Sequence, residues 1–101
     1  MQSIMDTEYG VCYLCGRMTN TQTHHIFGGF NRKLADADGM TVELCPLCHH
    51  RCHNGENSPK VRYKLHREGQ KRWTEHYGPD LIQQGKDPTT EFMKRYGRNY
   101  V

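Results

Sequence analysis

The sequence predicts a small α+β domain held together by bound metal more than by a large apolar core. Three observations predict it. The chain is short and polar, with 101 residues of which 35% are hydrophobic and a mean hydropathy of -0.94. A chain of this size buries too little apolar surface to be stable without a staple. Five cysteines and seven histidines cluster along it, and four of the cysteines form two C-x2-C pairs. Short strand-like runs in the first half give way to helical periodicity in the second.

The elements follow in order. Residues 1–10 read as a weakly ordered lead-in. Cys12-Tyr13-Leu14-Cys15-Gly16 is a C-x2-C-G turn, with Gly at the position that needs a permissive backbone. Thr21 to Phe27, rich in Thr, Ile and Phe, is a short strand. Gly28-Gly29 breaks it, and residues 28–40 read as a loop that carries Asn31-Arg32-Lys33 and closes on the turn signal Asp38-Gly39. Met40 to Leu44 alternates Met40, Val42 and Leu44 as a second strand.

Cys45-Pro46-Leu47-Cys48 is the second knuckle. A helix starting at Pro46 would carry His49-His50-Arg51-Cys52-His53 and end near Asn54-Gly55. Ser58-Pro59 caps a helix over about 59–77. Val61, Leu65, Trp73 and Tyr77 recur on its apolar stripe, with Gly69 among them. Trp73 and Tyr77 are therefore read as core and not as base-stacking groups. Gly78-Pro79 should stop this helix, residues 79–90 read as a linker, and Thr90 caps a last helix over about 90–97. Residues 1–101 make one domain without repeats.

Several classes are excluded. No apolar run approaches the roughly 20 residues that span a bilayer. The start MQSIMDTEYG lacks the charged and apolar regions of a signal peptide. The expected location is therefore cytoplasmic, where thiols stay reduced and close Cys pairs are metal ligands rather than disulfides. The net charge is +3, mild overall but uneven. Residues 58–77 carry Lys60, Arg62, Lys64, Arg67, Lys71 and Arg72 against Glu68 and Glu75. A basic stretch interleaved with aromatics suits an anionic polymer.

Cys12, Cys15, Cys45 and Cys48 form C-x2-C…C-x2-C, with residues 16–44 between the pairs. Zinc takes four thiolates tetrahedrally, and each knuckle offers two. With every position filled by protein, such a zinc is structural, and its binding energy is folding energy. Cys52 stands outside the quartet. It reads as a free thiol, with a local site of Cys45, Cys48 and Cys52 as the other arrangement.

His49 and His53 are spaced i, i+4 on one helix face, and the His24-His25 pair ends a strand. Successive strand side chains point opposite ways, so one of the pair can ligate while its neighbour does something else. Three histidines would leave open metal positions for water or substrate, the layout of a catalytic site. That layout suits phosphodiester hydrolysis, with a neutral histidine taking the proton of the attacking water. His50, His66 and His76 read as surface residues.

These features resemble the HNH endonuclease family, whose core is a ββα-metal motif. The resemblance is carried by the first C-x2-C, His24-His25-Ile26, the segment Leu44-Cys45-Pro46-Leu47-Cys48-His49, and His53. The strings HHIFGGFNRK and GRNY are similar to small bacteriophage and prophage members. The core resemblance covers about residues 12–54, with the C-terminal helices added to it. It implies a metal-dependent nuclease that nicks or cleaves double-stranded DNA in a bacterial host cell, with other phage proteins as possible partners.

Carried over by position, His24, His49 and His53 are the expected ligands of a catalytic Mg2+, Mn2+, Ni2+ or Zn2+, and His25 is the expected general base. The middle Asn of the family name is missing. The stretch before the second knuckle is Asp38-Gly39-Met40-Thr41-Val42, so either Asn31 or backbone groups would brace His25. Asn31, Arg32, Lys33, Lys60, Arg62, Lys64, Arg67 and Lys71 are the expected DNA contacts. The alternative is a zinc-stapled DNA-binding module with weak or no catalysis. A third reading is a redox or metal sensor built on Cys52.

Overall fold

In the computed structural model, which describes residues 2–101, two four-residue strands pair antiparallel. β1 (Gln22–His25) sets Gln22 opposite Leu44 and His25 opposite Thr41 of β2 (Thr41–Leu44). Glu43 of β2 draws the surrounding chain onto this ribbon. Its carboxylate accepts from the hydroxyls of Thr21 at 2.8 Å and Thr23 at 2.7 Å. Its backbone carbonyl accepts from the Tyr13 N–H at 2.8 Å, which docks the first knuckle on β2.

The connection between the strands is not the loop that the sequence suggests. After one 3-10 turn (Gly29–Asn31), it forms α1 (Arg32–Asp38). Seven residues with no apolar period give no amphipathic signal, and the helix shows in its ending instead. Gly39 adopts φ 75°, and its N–H bonds back to the carbonyls of Ala35 and Asp36.

α2 (Pro46–His53) begins where expected. The Cys45 sulfur caps it by accepting from the Cys48 N–H at 3.4 Å, and Pro46 takes the first turn. α3 (Ser58–Gln83) starts one residue before the expected Pro59 and runs through Pro79 instead of stopping at Gly78. Gly78 is buried, and a Cβ there would stand 3.4 Å from the Pro88 ring, so the start of α4 lies close against α3 at this point. α4 (Pro88–Tyr96) starts before Thr90. Its cap is the Asp87 carboxylate, which accepts from the Thr90 N–H at 2.9 Å. The linker shrinks accordingly to residues 84–87.

The core is small. Ile26, Phe27, Met40, Val42, Leu44, Leu65 and Phe92 are fully buried among the strands, α3 and α4. Gly69 of α3 lies flush against Ile26 and Phe27, where a Cβ would stand 2.9 Å and 3.2 Å from their side chains. Trp73 is core, as its stripe predicts. The lead-in is tied down. Met5 is buried, and the Ile4 N–H donates to the Gly39 carbonyl at 2.9 Å.

One carboxylate joins three helices. Asp38, at the end of α1, accepts from Trp73 Nε1 at 2.9 Å, Tyr96 Oη at 2.6 Å, and Arg95 through Nε at 2.6 Å and Nη2 at 2.7 Å. Its backbone carbonyl accepts from Tyr77 Oη at 2.8 Å. Among the described residues, no helix is long and apolar enough to cross a membrane.

Candidate metal centre and nucleic-acid interface

The two knuckles bring Cys12, Cys15, Cys45 and Cys48 together, with all four sulfurs within 4.8 Å of one another. Cys15 and Cys45 sulfurs are 3.8 Å apart. Four thiolates about 2.3 Å from one zinc stand about 3.8 Å apart along each tetrahedral edge, so this pair matches such an edge and the quartet is positioned to hold a metal ion. Cys12, Cys45 and Cys48 are buried and Cys15 is exposed. Burial alone would raise the Cys12 thiol, but backbone N–H groups of Cys45, Cys15 and Leu14 outweigh it and bring its pKa down to about 6. Burial and the neighbouring thiols push Cys48 the other way.

Cys52 lies outside the quartet and is fully buried. Burial raises its pKa, the opposite of what a reactive thiol needs. It packs as a small apolar residue, which removes the physical basis of the redox reading.

A second group converges beside the first. His24, near the end of β1, meets His49 and His53, one turn apart on α2, and their ligand nitrogens lie within 4.8 Å of one another. The ring centroids are 5.3 Å, 5.6 Å and 5.1 Å apart. Burial, reinforced by His49 and His53, lowers the His24 pKa to about 4, so its lone pair is free for a metal at neutral pH. Burial also lowers His49, with His53 adding to it.

Gln22 is a member of this site that sequence reasoning missed. Its Oε1 lies 2.5 Å from His49 Nδ1. An amide oxygen can only accept, so Nδ1 carries the proton and Nε2 is left to ligate, the usual work of an outer-shell partner. Gln22 and His24 lie on the same face of β1, two residues apart, which is the one signal that could have found it.

His25 faces away from the cluster, as alternation on a strand requires, and its Nε2 lies 3.3 Å from Oδ1 of Asp36 on α1. Asn31 does not brace it, because its amide donates to the Tyr96 carbonyl at 3.1 Å and ties the 3-10 turn to the end of α4. His66, read as a surface residue, is instead half-buried, stacked on Phe27 at 5.4 Å and tilted against Tyr100 at 4.6 Å.

The expected DNA contacts divide. Lys60, Lys64, Arg67 and Lys71 recur along one exposed face of α3. Arg32 and Lys33 are exposed at the start of α1. Arg62 is occupied, donating from Nη1 to the Cys52 carbonyl at 2.7 Å and closing the C-terminus of α2. Asn31 is likewise spent on α4. Phe30, between Gly29 and Asn31, stands wholly in solvent.

The fold and its site thus describe a small α+β protein with a four-cysteine group suited to zinc and a three-histidine group beside it. No known protein family matches the chain, and no curated protein or solved structure does either.

Proposed function

We propose that the chain is a metal-dependent DNA endonuclease of the HNH type, with a ββα-metal core formed by β1, β2 and α2, encoded by a phage or prophage. The observation that carries the reading is the juxtaposition of three converging histidines with a fourth, His25, adjacent in sequence and facing the other way. The four-cysteine group holds the structural zinc that ties the chain start to α2. His24, His49 and His53 hold the catalytic ion.

When bound, that ion supplies a Lewis acid that polarises a phosphate oxygen and stabilises the leaving oxyanion. Three imidazoles and no carboxylate form a donor set that suits Zn2+ or Ni2+ better than Mg2+. His25 accepts a proton from the attacking water. Arg32 and Lys33 sit close in sequence to it and neutralise flanking phosphates. The basic face of α3 adds phosphate contacts, which predicts steeply salt-dependent binding. The exposed ring of Phe30 gives a nucleobase a surface to stack on.

The test is a plasmid-nicking assay across divalent ions on the parent and on His25→Ala. Nicking by the parent and its loss in His25→Ala, with retained fold and zinc content, support the reading. DNA retention on a gel without nicking under every ion favours a binding module instead.

A further inference from the structure

His25 needs a partner to set its ring, and neither the missing middle Asn nor Asn31 serves. Asp36 lies within reach of His25 Nε2, at 3.3 Å. Its position is otherwise unfavourable. It sits in the last turn of α1, where the helix dipole opposes an acid. Asp38 occupies the same turn, but Arg95, Trp73 and Tyr96 surround it. Asp36 has no such company: its side chain is 65% exposed, and among the described residues its one ion-pair partner is His25. A local rule broken without structural compensation is expected at a functional site.

We infer that Asp36 is a positioning residue that holds the His25 ring in the Nε2–H tautomer and turns the Nδ1 lone pair toward the attacking water, an inference resting on the nuclease reading above. An ionised carboxylate can only accept, so the ring proton must lie on Nε2. The base is then Nδ1. As the water O–H bond breaks, its proton goes to Nδ1 and its oxygen forms the new bond to phosphorus. The P–O bond to the leaving oxygen breaks, with the electron pair departing on that oxygen, which takes a proton from solvent. Asp36 offsets the charge of the transient imidazolium. The contact is long for a hydrogen bond, and catalytic contacts of this kind tighten when substrate binds.

The test has two arms on the zinc-loaded full chain. In the kinetic arm, Asp36→Ala lowers kcat of plasmid nicking about 10- to 100-fold, a share of what a general base contributes. KM stays within about twofold, since no phosphate contact is lost. Asp36→Glu recovers most of the rate, and Asp36→Ala adds nothing in a His25→Ala background. A parental rate in Asp36→Ala, a loss confined to KM, or an equal loss in the His25→Ala background overturns the inference.

The second arm needs no activity. Ring nitrogen-15 spectra of neutral His25 should show a single tautomer with Nε2 protonated, and Asp36→Ala should show a mixture. A mixture in the parent overturns the inference even if the parent cleaves DNA. A parent that shows the single tautomer but nicks nothing refutes the nuclease reading while leaving the Asp36–His25 pairing standing.

Discussion

Replacing Asp38 by Ala should be among the most damaging single changes in this protein. Its carboxylate gathers donors from Trp73, Arg95 and Tyr96. Removing it leaves the buried Trp73 Nε1–H and Tyr96 O–H without an acceptor, at about 1–3 kcal/mol each. The Arg95 pair adds less. Its side chain is 37% exposed, and a pair so exposed to water contributes about 0.2–1 kcal/mol. The total is about 4 kcal/mol, a large part of the roughly 5–15 kcal/mol that holds a domain folded. For a chain of this size, each kcal/mol moves Tm by about 4–8 °C, so the melt should fall by about 15–30 °C. Urea unfolding of the zinc-loaded protein, followed by fluorescence of the sole tryptophan, Trp73, reads this directly. Asp36→Ala, two residues away and exposed, is the control and should shift the midpoint little. An Asp38→Ala loss below about 1 kcal/mol would mean that water satisfies those donors and that the junction does not hold α3 and α4 to α1.

If zinc fills the cysteine group as proposed, a strong chelator should unfold the chain, because the metal then stands in for missing core; unchanged circular dichroism and melting after complete zinc removal would sink that account. The His24 pKa near 4 in the folded chain, against an ordinary 6.5, means that the unfolded chain binds a proton the folded one does not between those pH values. Stability is therefore complete above about pH 6.5 and declines as pH falls toward 4, and His24→Gln should flatten that dependence in urea midpoints taken between pH 7 and 5. Gly69→Ala gains about 1 kcal/mol of helix propensity but forces a methyl into Ile26 and Phe27, at a cost of about 1–3 kcal/mol; thermal melts should show a net loss, and a stabilised variant would show that this contact yields.

Much of the architecture was legible because its signals are local. Proline at the first turn and a cysteine before it mark the start of α2, and the alternation of Met40, Val42 and Leu44 marks β2. α1 was illegible because seven residues without an apolar stripe carry no period, and its closing Gly39 reads equally as a turn. α3 continues past Pro79 against the local stop signal of Gly78-Pro79, and the buried Gly78 faces Pro88, ten residues downstream, a proximity that no local pattern announces. Missing α1 left Asp36 without a place, and so hid its contact with His25.

The sequence by itself determined the ligand inventory. C-x2-C turns and an i, i+4 histidine pair fix their own geometry within a few residues, so spacing marks the candidate ligands; bringing Cys12 and Cys15 to Cys45 and Cys48, and His24 to His49 and His53, is the work of the tertiary fold. Only the tertiary structure decided which polar groups support them. Gln22 against His49, Asp36 beside His25, Asn31 on Tyr96 and Arg62 on Cys52 join residues up to 65 positions apart. Such pairs form because packing brings the helices and strands together, and no local pattern in the chain encodes that meeting.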